Sequence, residues 1–138
     1  MYKFVEDLTS DVMFIAEATN ITKLLEECGK AIFDVVCQRE LVKPKEFIEI
    51  HVKGENPEEL LYEWLSALLT ESDANELFFS KFEIEVEEKN GVLFLKGKAL
   101  GEPYTPEKSG TVVKGVTYYN FKVEKNENGY RASVVCDI

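Results

Sequence analysis

The sequence concentrates hard oxygen donors at its last two positions, Asp137 and Ile138. Read as a chain that stops at Ile138, it sets a terminal carboxylate beside the side-chain carboxylate of Asp137. Two adjacent anions repel unless a cation or a proton intervenes. The chemistry on offer is therefore the holding of a hard cation, not nucleophilic attack. The only histidine is His51. With no second one, serine–histidine–aspartate catalysis and a histidine-built zinc site are both poorly supported, and His51 reads as a half-exposed residue of a strand.

Asp137 must be held by a strand from Tyr130 to Ile138, whose partner is the run Val112 to Lys125. Asn126-Glu127-Asn128-Gly129 joins them as a four-residue turn in which glycine can take positive φ. Closing that turn pairs Lys125 with Tyr130 and Glu124 with Arg131, opposite charges facing across a ladder. Continued without interruption, the register sets Phe121 against Val134, Tyr119 against Cys136 and Tyr118 against Asp137. Asp137 then shares the wet face with Tyr118, Asn120, Lys122 and Ser133. Lys114 lies on that face but roughly 13 Å beyond Tyr118.

The remaining elements follow from periodicity. Met1 to Val5 and Val12 to Ala18 read as strands around the acidic connector Glu6-Asp7-Leu8-Thr9-Ser10-Asp11, whose plain reading is a solvated turn. Asn20 caps a helix from Ile21 to about Val36. Asp34 lies on its wet stripe as a structural residue, and Gly29 marks a close approach. Phe47 to Val52 alternates as a strand. Asn56-Pro57 with Glu59 starts a second helix that runs to about Leu69, with Trp64 as a core anchor. Thr70 to Glu76 reads as an acidic exit loop in which Asp73 is a ligand or a cap. Lys81 to Glu88 and Val92 to Ala99 form a hairpin around Asn90-Gly91, a type I′ pair. It sets Glu85 opposite Lys96 and Glu83 opposite Lys98. Leu100 to Gly110, with two prolines and two glycines, reads as a long loop of the kind that often carries function.

At 138 residues with 45% hydrophobic and 12% aromatic content, the chain is long enough to bury a core of its own. The expected architecture is α+β: a single domain over residues 1–138, two helices packed on mainly antiparallel sheet built from hairpins. A net charge of −10 disfavours tight independent binding to nucleic acid and to anionic membranes. The three cysteines form no Cys-x-x-Cys. Reduced thiols, with no apolar run long enough to span a bilayer, point to a cytoplasmic protein.

Five stretches, taken in order, resemble the archease family: Asp7-Leu8-Thr9-Ser10-Asp11, Ile32-Phe33-Asp34-Val35, Gly101-Glu102-Pro103-Tyr104, Val113-Lys114-Gly115-Val116-Thr117-Tyr118 and Val134-Val135-Cys136-Asp137-Ile138. The resemblance implies a non-enzymatic protein cofactor of an RtcB-type tRNA-splicing RNA ligase, promoting its guanylylation and multiple turnover. It also implies a metal site at Asp11, Asp137 and the terminal residue Ile138, with Asp7, Asp73, Lys114 and Tyr118 facing the partner or supporting the site. The sequence departs from the family at Leu8 and Tyr119, where histidine is usual, and at Glu71-Ser72, where apolar residues more often precede the aspartate. The implied site is therefore built from oxygen alone and suits a divalent cation, calcium ahead of magnesium. Two rivals are a chaperone-like interaction module and a metal-dependent hydrolase using the same carboxylates.

Overall fold

A computed structural model describes residues 1–5 and 11–138. Residues 6–10 of the acidic connector, Asp7 among them, lie outside the described residues. The chain runs β1 (Tyr2–Val5), β2 (Asp11–Ala18), α1 (Ile21–Val36), β3 (Glu46–Gly54), α2 (Pro57–Asn75), β4 (Leu77–Lys89), β5 (Val92–Pro103), β6 (Gly115–Asn126) and β7 (Gly129–Asp137), with single 3₁₀ turns at Arg39–Leu41 and Pro106–Lys108. The helix starts are the expected ones. Asn20 accepts from the Lys23 amide at 2.9 Å, and Asn56 accepts from the Glu59 amide at 2.8 Å with Pro57 at the first helical position. Each cap satisfies a donor that the helix itself cannot.

The strands form two antiparallel sheets, β1-β2-β7-β6 and β3-β5-β4. Each helix touches strands of both sheets, and one continuous core joins all of them. Trp64 is its fully buried anchor, donating its indole N–H to the Leu25 carbonyl at 3.1 Å. The close approach at Gly29 is to the Phe82 ring, which an added Cβ would meet at 3.3 Å. The Asn90-Gly91 hairpin has the expected register, with Lys89 opposite Val92, Glu85 opposite Lys96 and Glu83 opposite Lys98.

Three expectations are corrected. First, α2 does not stop near Leu69 but continues to Asn75, so Asp73 is helical. Thr70 to Asn75 contains no glycine or proline to end the helix, the Asn75 side chain bonds back to the Glu71 carbonyl at 2.8 Å, and Glu76 closes it in the left-handed region at φ 52°. Second, Leu100–Pro103 is not loop: β5 runs through it. A bulge in β4 between Phe79 and Lys81 accommodates the extension. Gly101 makes it sterically feasible, since a Cβ there would lie 1.7 Å from the Phe78 carbonyl oxygen.

Third, the β6–β7 ladder does not run through uninterrupted. Lys125 opposite Tyr130 and Glu124 opposite Arg131 hold as expected, but the register shifts between Thr117 and Lys122. Thr117 then faces Val135, Val116 faces Cys136 and Gly115 faces Asp137. Neither Tyr118 opposite Asp137 nor Tyr119 opposite Cys136 survives. Four residues of β6, Tyr118 to Phe121, are extruded where an unbroken ladder would have paired them.

Candidate functional site at the meeting of the first and last strands

β2 and β7 pair along their whole length, which sets Asp11 directly opposite Asp137. Residues facing each other in an antiparallel ladder project to the same side with Cβ atoms about 4.5–5.5 Å apart. This side is the outer one, because the alternate residues Phe14, Val134 and Cys136 are in the core. Asp11 is half-buried and Asp137 exposed, so both carboxylates are open to water or a cation. Burial, followed by the charge of Asp11, pushes the neighbouring Cys136 thiol up to about 12.

Lys114 is brought to this pair by the register shift. Its amide donates to the Asp137 carbonyl at 2.7 Å, where an uninterrupted ladder would have held it far away. The preceding segment is pinned along its length. Glu102, buried at 6% exposure, receives Lys108 Nζ and the Lys43 amide at 2.5 Å each. Those two donors, led by Lys108, hold its carboxyl below the usual glutamate range. Gly110 and Thr111 then donate their amides to the Val36 and Val35 carbonyls at 3.0 and 2.8 Å. These are carbonyls left open by the end of α1, and satisfying them steers the chain to Lys114.

Asp73 and Lys114 line one cleft of about 630 Å³ between the ends of α1 and α2 and residues 109–114. Its wall includes Tyr104, whose hydroxyl donates to the Ser72 carbonyl at 3.1 Å. Asp73 is exposed on α2 and belongs to this cleft. Ile138 follows β7 and is half-buried. Tyr118 stands apart on the extruded segment, stacked on Tyr62 of α2 with centroids 4.2 Å apart. Tyr62 was not singled out by sequence reasoning. Its signal was an aromatic standing off the Leu61, Trp64, Leu65, Leu68 stripe.

Asp34 is structural, as expected. It accepts from Arg39 Nε at 2.8 Å and from the Tyr2 hydroxyl, while Arg39 Nη1 reaches the Ser80 carbonyl at 3.1 Å. His51 is exposed and paired with Glu49 at 2.9 Å. Among the described residues no group of three or more histidine, cysteine, aspartate or glutamate side chains is close enough to hold a metal, and no helix is long and apolar enough to cross a membrane. The donor set described is thus a pair of carboxylates. Their facing positions and hard oxygen chemistry fit a divalent cation that draws its further ligands from backbone, water or neighbouring residues.

The model of the Archease protein family matches residues 2–138. A protein archease of Sulfurisphaera tokodaii is 38% identical over 139 residues, which cover 99% of this chain and 98% of that one. The solution structure of a Methanobacterium thermoautotrophicum protein superposes with a TM-score of 0.87 at 28% identity, covering 99% of this chain and 98% of its own. A crystal structure from Thermotoga maritima, described as an archease and possible chaperone, shares the fold with a TM-score of 0.65 at 16% identity, over 97% of this chain and 98% of that one.

Proposed function

The chain belongs to the archease family, and from that premise we propose that it is a non-enzymatic activator of an RtcB-type tRNA-splicing RNA ligase, promoting the ligase's guanylylation and multiple turnover. The observation that supports this reading is the juxtaposition of Asp11 and Asp137 across the β2–β7 ladder, beside Lys114. Asp11 and Asp137, with Ile138, would hold a divalent cation, calcium ahead of magnesium. Two anions facing across a ladder oppose pairing, and a divalent ion between them reverses that sign. The ion supplies charge neutralisation at the sheet end. This chain's residues supply a fixed array of anions and one cation, with Asp73, Lys114 and Tyr118 turned to the partner or supporting that array.

The decisive assay is a guanylylation time course of the cognate ligase with GTP, a divalent metal and substoichiometric amounts of this protein. Many ligase turnovers per copy of this protein are expected, falling to the unassisted rate with Asp137→Ala or Asp11→Ala variants that remain folded. Full stimulation by those variants sinks the assignment of the site. Absence of stimulation by the parent protein sinks the ligase reading.

The cation is tested separately by thermal unfolding in chelator and in calcium. Calcium at about a hundred times its dissociation constant stabilises a single-site protein by ~2.7 kcal/mol. The parent midpoint is expected to rise, and that of Asp137→Asn to stay where chelator leaves it. In chelator the same variant is expected to gain about 0.2–1 kcal/mol by relief of the facing charges.

A chaperone-like role has one observation in its favour: Val112, Tyr118 and Tyr119 are 80%, 75% and 70% exposed. It predicts protection of unrelated unfolding proteins from aggregation, with no dependence on Asp11 or Asp137.

A further inference from the structure

Extruding Tyr118 to Phe121 puts the rings of Tyr118 and Tyr119 in water, against the roughly 1.5–3 kcal/mol that burying such a side chain would contribute. Asn120 adopts φ 53° at the crest, a left-handed conformation that asparagine tolerates better than most residues. Tyr118 is not left loose. Tyr118 stacks on Tyr62 with ring planes 10° apart. Tyr62 is itself anchored, its hydroxyl donating to the Val116 carbonyl at 3.3 Å and its ring meeting Phe121 edge-on at 5.5 Å. One face of Tyr118 is covered and oriented, and the ring is otherwise open, at 75% exposure.

The surroundings of this ring are acidic. Glu58 reaches from the first turn of α2 to accept the Val123 amide at 3.0 Å. Glu59 stands one helical turn before Tyr62 on α2 and Glu63 directly follows it; hydrogen bonding to Tyr62, then burial, then the charges of Tyr62, Glu63 and Glu59 push the Tyr118 hydroxyl above its ordinary range. Of the two lysines four residues from Tyr118, Lys122 is engaged by Glu124 at 2.7 Å and Lys114 has its backbone at Asp137. A ring face is electronegative through its quadrupole, and these carboxylates add to the same sign. Such a surface attracts cations, and its flatness favours a planar one over a compact ammonium.

We propose that the Tyr62–Tyr118 stack is a docking platform for an arginine carried on a basic segment of a protein partner, with the guanidinium on the open face of Tyr118 and within the field of Glu59 and Glu63. A nucleobase could use the same ring, but its phosphates would have to approach these glutamates on a chain of net charge −10, which disfavours nucleic acid. The inference rests on the reading of Tyr118 as partner-facing and needs no ligase to be tested, so either can fail without the other.

The test is a titration of the full chain, followed by the aromatic NMR signals of Tyr118 and Tyr62, with a capped hexa-arginine peptide, the matched hexalysine peptide and an oligouridylate. The arginine peptide is expected to shift both signals and to bind about two- to five-fold tighter than the lysine peptide, the value of an exposed cation–π contact. Tyr118→Phe keeps that preference, Tyr118→Ala removes it, and Glu63→Gln weakens binding of both peptides. Tyr118→Phe and Glu63→Gln carry the test if Tyr118→Ala unfolds. Equal binding of the two peptides, or a preference for arginine that survives Tyr118→Ala, overturns the proposal. Tighter binding of the oligouridylate overturns it in favour of a nucleic-acid surface.

Discussion

Both sheets contain a place where one strand has more residues than its partner can pair, and the two resolve the surplus in opposite directions. In β4 the surplus lies between Phe79 and Lys81 and is turned inward. Phe78 and Phe79 stay buried, Gly101 leaves room for the Phe78 carbonyl, and the Ser80 carbonyl is taken up by Arg39. In β6 the surplus lies between Thr117 and Lys122 and is turned outward. Tyr118 and Tyr119 reach solvent and the strand beyond slides until Gly115, not Tyr118, meets Asp137. A bulge that faces the core is constrained by packing. One that faces water is free to present side chains, and this one also sets which residue stands beside the carboxylate pair.

The contrast can be broken most severely at the inward bulge. Gly101→Ala forces a Cβ into the Phe78 carbonyl and is expected to cost upwards of ~3 kcal/mol in a urea titration. Removing the guanidinium that closes the same bulge is expected to cost less. Arg39→Met leaves the half-buried Asp34 carboxylate without its ion pair and the Ser80 carbonyl without its donor, for about 2–3 kcal/mol.

The next effect is one of pH, at the segment that joins the two sheets. Because Lys108 and the Lys43 amide depress the Glu102 carboxyl in the folded protein, its contribution to stability is full above the unfolded glutamate value of about 4.3. It declines as pH falls past that value and is gone below the folded one. Parent and Glu102→Gln midpoints are therefore expected to differ at neutral pH and to converge on acidification. A gap that persists at low pH would show that the residue acts through packing alone. The smallest effect is expected at the outward bulge's neighbour. A Cβ on Gly115 would meet nothing within 4 Å, so Gly115→Ala should stay within about 0.5 kcal/mol of the parent. A larger loss would mean that the slide of β6 is as tightly packed as its counterpart in β4.

Several features were legible because neighbouring residues decide them. Asn20 and Asn56-Pro57 start the helices, Asn90-Gly91 sets one hairpin, and the turn before Gly129 sets the first pairs of the other. The burial of Trp64 and the structural role of Asp34 follow from their places on helical stripes. The ends of elements were less legible. The polar run Thr70 to Asn75 resembles a loop in composition, yet nothing in it breaks a helix, and the Ser72 hydroxyl is buried against the Leu77 carbonyl at 2.5 Å. The proline- and glycine-rich run after Leu100 hid a strand, because Gly101 is there to let backbone approach backbone and not to make a turn.

The two helices with their caps, the two hairpin turns, the buried stripes, the excess of anions and, through five short stretches in order, the family can all be read from residue order. These depend on periods of two and 3.6 residues and on turn chemistry, which act over a few positions. Residue order does not reveal that β2 lies against β7, so that Asp11 faces Asp137, or that β6 slides to deliver Lys114 while lifting Tyr118 onto Tyr62. The β2–β7 pairing and the Tyr118–Tyr62 stack each join residues more than fifty positions apart. They are settled by which strand edges the shared core brings together and by which side chains α2 offers to the extruded segment, and no local period encodes either.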